Sequence, residues 1–165
     1  MSMKVISTLA ISAFVTLLTA CAMQTPIQRP VFPEAEYQRL ELSGSGSVSG
    51  QVFMRTVGGD VKYGAGNNVF LFPDTTYSEF WYQRSYIEQK ALTPPDERQM
   101  VYTKVVQADG NGNFKFSNVA PGNYYVSSSV VWQAPTQFGL ANQGGIVAKS
   151  ISVSADNEMR VMLTR

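Results

Sequence analysis

The stretch from Asp109 to Val126 constrains this chain most: Asp-Gly-Asn-Gly-Asn-Phe-Lys-Phe-Ser-Asn-Val-Ala-Pro-Gly-Asn-Tyr-Tyr-Val. Asp109-Gly110 and Gly112 can supply the positive φ angles that a tight hairpin turn needs. Phe114 and Phe116 then alternate with Lys115 and Ser117, the period at which successive side chains fall on opposite faces of a strand. Pro121-Gly122 marks a second turn, with Pro fixing φ at one corner and Gly free at the next. Tyr124 to Trp132 continues as a longer strand. It carries Tyr124, Val126, Val130 and Trp132 on one face and Tyr125, Ser127, Ser129 and Val131 on the other.

Similar runs recur on both sides. Gly44 to Arg55 places Val48, Gly50, Val52 and Met54 on one face. Val69 to Pro73 and Met100 to Gln107 read as further strands. Ala148 to Val153 and Met159 to Leu163 read as two closing strands joined by a turn at Asp156-Asn157. Short strands with closely spaced turn signals predict an all-β sandwich. The order Asp-Gly, x-Phe-x-Phe, Asn-Val, x-Pro-Gly-x-Tyr-x-Val resembles the carboxypeptidase regulatory-like domain, as does the Gly-x-Val-x-Gly-x-Val of the first strand. That resemblance implies a seven-stranded transthyretin-like, Ig-like β-sandwich. It implies no peptidase activity. In carboxypeptidases the catalytic domain is separate and its zinc site uses His, and this chain contains no His.

The N-terminus reads as an address rather than a part of the fold. Lys4 precedes an apolar run from Val5 to Leu18, too short to span a bilayer. Leu18, Thr19 and Ala20 followed by Cys21 resemble the bacterial lipobox, with residues 1–20 as signal peptide. The resemblance implies that Cys21 becomes the new N-terminus and carries acyl chains, palmitate among them. Several chains make a lasting anchor where one binds only marginally. Ala22 in place of Asp leans toward the outer membrane. Residues 21–43, interrupted by Pro26, Pro30 and Pro33, read as an extended tether. Glu34, Glu36 and Glu41 are then solvated charges on it. The folded domain is expected over residues 44–165.

One segment breaks the strand pattern. Thr76-Tyr77-Ser78-Glu79 has the spacing of a capping box, so a helix is predicted to run from there to about Leu92, before Pro94-Pro95. Tyr77, Phe80, Trp81, Arg84, Ile87 and Ala91 share one helical side and should pack on the sandwich. Tyr82 and Tyr86 lie off that stripe and are expected to be an exposed surface for a protein or glycan partner. Gln133 to Gly145 reads as a long polar loop. Phe138 and Leu140 inside it either fold back on the core or are exposed for contact.

Composition removes several function classes. Without Lys4, basic and acidic residues balance at 12 each, so no charge cluster suits nucleic acid. The lone Cys and absent His leave no disulfide, no Cys-based metal cage and no His general base. Asp109 to Asn113 begins like a calcium loop. Its sixth and twelfth positions are Phe114 and Ala120, where Gly and Glu are required, so no metal and no cofactor is expected. Three functions remain open. The first is a non-enzymatic envelope lipoprotein that binds a protein or glycan. The second is a structural subunit of a secretion or envelope assembly. The third is a hydrolase using Asp96 and Glu97, which otherwise read as solvated loop charges.

Overall fold

The computed structural model describes residues 25–165; the lipobox residues Leu18, Thr19, Ala20 and Cys21 lie outside them. Among the described residues there are eight strands: β1 (Gly46–Arg55), β2 (Val61–Tyr63), β3 (Asn68–Pro73), β4 (Lys104–Gln107), β5 (Asn113–Val119), β6 (Gly122–Thr136), β7 (Gly139–Val153) and β8 (Glu158–Leu163). They form two four-stranded sheets. In the first, β1 is flanked by β5 antiparallel and by β8 in parallel, and β2 pairs with the C-terminal end of β1. The second runs β4-β3-β6-β7, antiparallel throughout. The architecture is thus the expected all-β sandwich with eight strands rather than seven. The addition to the sequence reading is β2. It has only three residues and pairs across a Gly-containing turn, too short for alternation to reveal.

The inward residues are those the alternation selects. Val48, Val52, Leu71, Val126 and Leu163 are among the fully buried side chains of one continuous core between the sheets. Fully burying such a side chain stabilises by about 1.5–3 kcal/mol, so this layer dominates the fold. Ser128 sits on the same face, and its hydroxyl donates to the Asn68 carbonyl at 2.8 Å, which removes the cost of an unpaired buried group. The β4–β5 hairpin closes with the Gly112 N–H on the Asp109 carbonyl, and Gly112 has φ +77°. A Cβ there would collide with the Val52 carbonyl oxygen, so the position needs glycine twice over. Gly110, the other residue expected at positive φ, does not take it. Asp109 accepts from the backbone N–H groups of Asn111 and Asn113, which makes it the brace of this turn.

Three segments depart from the sequence reading. The expected tether is folded from its first described residues. Ile27 pairs with Leu92, a short α1 spans Glu34–Tyr37, and Phe32 and Tyr37 are buried in a second cluster with Tyr77. The prolines are there, but Phe32 between them and Tyr37 after them have a hydrophobic seat. The expected loop at residues 133–145 is instead the outer part of a hairpin. β6 and β7 stay paired from Gly122↔Val153 out to Thr136↔Gly139, while β3 covers only Tyr124–Ser127 of β6. The outer part therefore projects as a two-stranded ribbon. Its Gly144 has φ +91° and lies under the Trp132 ring, where a Cβ would come within 2.7 Å. Finally, the segment read as a strand from Met100 divides into a 3₁₀ turn, Glu97–Tyr102, and β4.

Candidate functional site

The helix expected after Thr76 exists, but it starts one residue earlier and changes form. α2 (Thr76–Trp81) is capped by Thr75, whose Oγ1 accepts from the Ser78 N–H while the Ser78 hydroxyl accepts from the Thr75 N–H. The capping pair is therefore Thr75 and Ser78 rather than Thr76 and Glu79. The next N–H, that of Thr76, donates to the Glu36 carboxylate at 3.0 Å, and the Thr76 hydroxyl donates to the same group at 2.6 Å. Glu36 is thus a cap supplied by the N-terminal segment rather than a solvated charge. A negative group at a helix N-terminus also meets the unpaired N–H groups there favourably.

After Trp81 the helix widens into a π-helical turn, Tyr82–Ile87, in which the Glu88 N–H reaches the Gln83 carbonyl. Bonds of that length hold an extra residue per turn, so the side-chain phase slips. This corrects the expected faces. Ile87 is 54% exposed instead of buried, whereas Tyr82 and Tyr86 turn inward and are half-buried. Tyr82 stacks on Tyr125 at 4.6 Å between centroids and lies 5.3 Å from Tyr86, which itself stacks on Trp81 at 6.5 Å. Trp81 meets Phe72 edge-on at 5.3 Å. Burial raises the pKa of the Tyr125 and Tyr82 phenols, so both stay protonated at neutral pH. Tyr82 thus packs the helix on the sheet through Tyr125, while Tyr86 packs on Trp81 and Tyr82 of its own segment. Phe138 is elsewhere, at the tip of the β6–β7 ribbon, 92% exposed, and forms no ring pair with them.

The aromatic cluster forms one wall of a groove on the outer face of the second sheet. β3 and β6 supply Phe70, Phe72 and Ser127 as its floor, and the helix supplies Trp81. The segment before β4 supplies Pro95, Gln99, Met100 and Thr103, and the N-terminal segment supplies Arg29. Its volume is about 330 Å³, at the lower end of the roughly 300–1,000 Å³ usual for ligand pockets. A smaller cavity of about 210 Å³ lies under Leu40 and Leu42, beside Leu71 and Tyr102. The groove is the better candidate. It combines an indole and two phenylalanine rings with a few polar groups, the make-up of ligand sites.

Arg29 is fixed by its own segment. Its Nε donates to the Thr93 carbonyl at 2.8 Å and its backbone N–H to Thr93 Oγ1 at 3.1 Å. The guanidinium lies 5.6 Å from the Tyr77 ring centroid. No local sequence signal marks Arg29, because its place depends on the N-terminal segment folding back.

Of the two carboxylates considered for hydrolysis, Glu97 is exposed and Asp96 is otherwise engaged. Asp96 caps the 3₁₀ turn and accepts from the Arg98 guanidinium at 2.8 and 2.9 Å. That pairing lowers its pKa to about 2. The same Arg98 reaches Glu34 at 3.0 Å and ties the N-terminal segment to the loop. An acid held ionised by a bound cation is a poor proton donor. Among the described residues, no group of three His, Cys, Asp or Glu side chains is placed to hold a metal.

No protein-family model and no curated protein matches the chain. A solved structure does: that of "a putative carbohydrate binding protein" from Pseudomonas aeruginosa. It is 30% identical, superposes with a TM-score of 0.74, and the match covers 83% of this chain and 99% of that one. This chain belongs to that protein's family. The family likeness extends over nearly the whole of the Pseudomonas chain, so it is a likeness of the sandwich as a unit and not of one motif.

Proposed function

We propose that this protein is a non-enzymatic binding module whose sandwich presents a saccharide site in the groove beside Trp81. The observation that carries the reading is the groove itself: the half-buried rings of Trp81 and Phe70 over a floor that includes the buried Phe72, bordered by Gln99, Thr103, Ser127 and Arg29. Sugar rings present apolar C–H faces and polar edges, which such a lining can match together. The name borne by the Pseudomonas relative supports the same ligand class. Titration of a panel of oligosaccharides tests it. At least one should bind the wild-type chain, and Trp81→Ala should weaken that binding by about tenfold or more. Equal binding by Trp81→Ala would remove the groove from the account.

The same proposal includes an envelope address. The sequence from Leu18 to Cys21 supports lipid anchoring through Cys21, and Ala22 supports the outer membrane. We take the fold to be of the carboxypeptidase regulatory-like, transthyretin-like type, on the strength of the motifs around Asp109 and Gly122. Labelled fatty acid should enter the wild type and not Cys21→Ser, and the variant should leave the membrane fraction. A variant that fractionates like an unlabelled wild type would end the lipoprotein reading.

A second reading, a subunit or protein-binding part of an envelope assembly, is favoured by the projecting ribbon. Phe138 and Leu140 at its end are 92% and 68% exposed, and no charged residue occurs from 116 to 148. A surface without charge has little to desolvate when a protein partner covers it. Cross-linking from position 138 in envelopes should then yield a discrete protein adduct. Its absence would leave the groove as the working surface.

A further inference from the structure

We infer that the groove selects acidic saccharides, with Arg29 as the residue that reads a sugar carboxylate. The inference rests on the saccharide reading of the same groove and narrows it. Arg29 lines the groove and is half-buried, yet no carboxylate among the described residues pairs with it, and residues 1–24 contain neither Asp nor Glu. None of the groove's lining residues is acidic. The nearest acid in the chain segment forming the wall, Asp96, is already held by Arg98. Arg29 therefore keeps a full positive charge in a partly buried setting beside the phenols of Tyr77 and Tyr37, which offer it no counter-charge. Burial accordingly lowers its pKa, though arginine remains protonated throughout the physiological range.

A partly desolvated cation without a counter-charge is an unfavourable arrangement that an anionic ligand relieves. The remaining geometry suits a carboxylate. Nε is committed to the Thr93 carbonyl and the Tyr77 phenol lies against the guanidinium, which together fix its plane; the remaining Nη hydrogens form a rigid fork. That fork matches the two oxygens of a carboxylate, while Trp81 and the less buried Phe70 supply apolar surface to the ring that bears it. A single cation balances the single charge of a uronate. It does not balance the two negative charges of a phosphate monoester, and the groove has no second cation to add.

The test is a set of titrations with the full chain in detergent, using trigalacturonate, its carboxyl-reduced neutral counterpart and galactose 6-phosphate. In the wild type, trigalacturonate should bind at least about tenfold more tightly than the neutral trisaccharide, and the advantage should shrink as salt rises. Arg29→Gln should bring the ratio of the two affinities close to one. Arg29→Lys should restore part of it, because the charge returns without the fork. Because each ratio is taken within one variant, a general loss of folded protein does not imitate the effect. Trp81→Ala should weaken both trisaccharides and leave their ratio unchanged. If the neutral trisaccharide binds the groove as tightly as the acid, the acidic preference is wrong and the saccharide site stands. Galactose 6-phosphate matching trigalacturonate would overturn the carboxylate assignment. If neither trisaccharide binds, or Trp81→Ala changes nothing, the saccharide site and the inference both fall.

Discussion

The N-terminal segment and the β6–β7 ribbon are opposites. Residues 25–43 have almost no regular structure, a four-residue helix apart, yet Phe32 and Tyr37 are among the most buried rings of the protein. The ribbon continues strands that are regular for fifteen residues on each side, yet Val131 and Leu140 on it and Phe138 at its tip are exposed. Regular hydrogen bonding and burial are separate contributions. The ribbon satisfies its own backbone with little core, whereas the N-terminal segment is held by its side chains. Where the groove is concerned, only the irregular segment matters, since it delivers Arg29 and the Glu36 cap of the helix that carries Trp81.

The comparison breaks most readily at Tyr37. Its ring is fully buried, stacks on Phe32 at 4.4 Å and accepts a hydrogen bond from Thr75. Tyr37→Ala should cost about 3–5 kcal/mol in denaturant unfolding. A loss below about 1 kcal/mol would mean that the segment is the loose tether its prolines suggest. Changing Tyr82 or Tyr86 to Ser removes a half-buried stacked ring and should cost about 1–2 kcal/mol each by the same measurement. Unchanged stability would restore them to an exposed face. Glu36→Ala removes a cap and should cost about 1 kcal/mol, with the loss confined to hydrogen-exchange protection of α2 if the helix opens locally.

Phe138→Ser marks the other side of the comparison. It should move unfolding by no more than about 0.5 kcal/mol, as for a surface position. A larger loss would show that the ribbon tip folds against the body.

The smallest effect expected is that of acid on Asp96. Its folded-state pKa is depressed to about 2 from an ordinary 3.8, so its contribution is complete above about pH 4 and fades as the pH falls through 2. Asp96→Asn should flatten that acid limb slightly. High salt should shrink the difference, because the pair with Arg98 is exposed.

Much of this was legible in the sequence, and the exceptions have physical causes. Strands β1, β3, β5 and β8 and the turn at Asp109 follow from period-two alternation and glycine, which are local signals. The prolines of the N-terminal segment signal an extended tether. The better signal was Phe32 and Tyr37, large rings that a solvated tether has little use for. The ribbon was read by its glycines, Gln and Asn as a loop, because strands outside the core need no apolar alternation to pair. The π-helical turn had no local signature at all. It accompanies the fit of Trp81 and Tyr82 against Phe72 and Tyr125, and so the faces of the helix beyond Trp81 do not follow from spacing. Arg29 was missed for the same reason as the segment that carries it.

The most direct test uses the chain's two tryptophans, one in each kind of place. Trp81 lines the groove, whereas Trp132 lies at the root of the ribbon over Gly144. Their indole N–H resonances can be followed while trigalacturonate is added to ¹⁵N-labelled protein. A saccharide groove predicts a saturable shift of the Trp81 indole with Trp132 unmoved. A shift of Trp132 alone, or of neither, would contradict it.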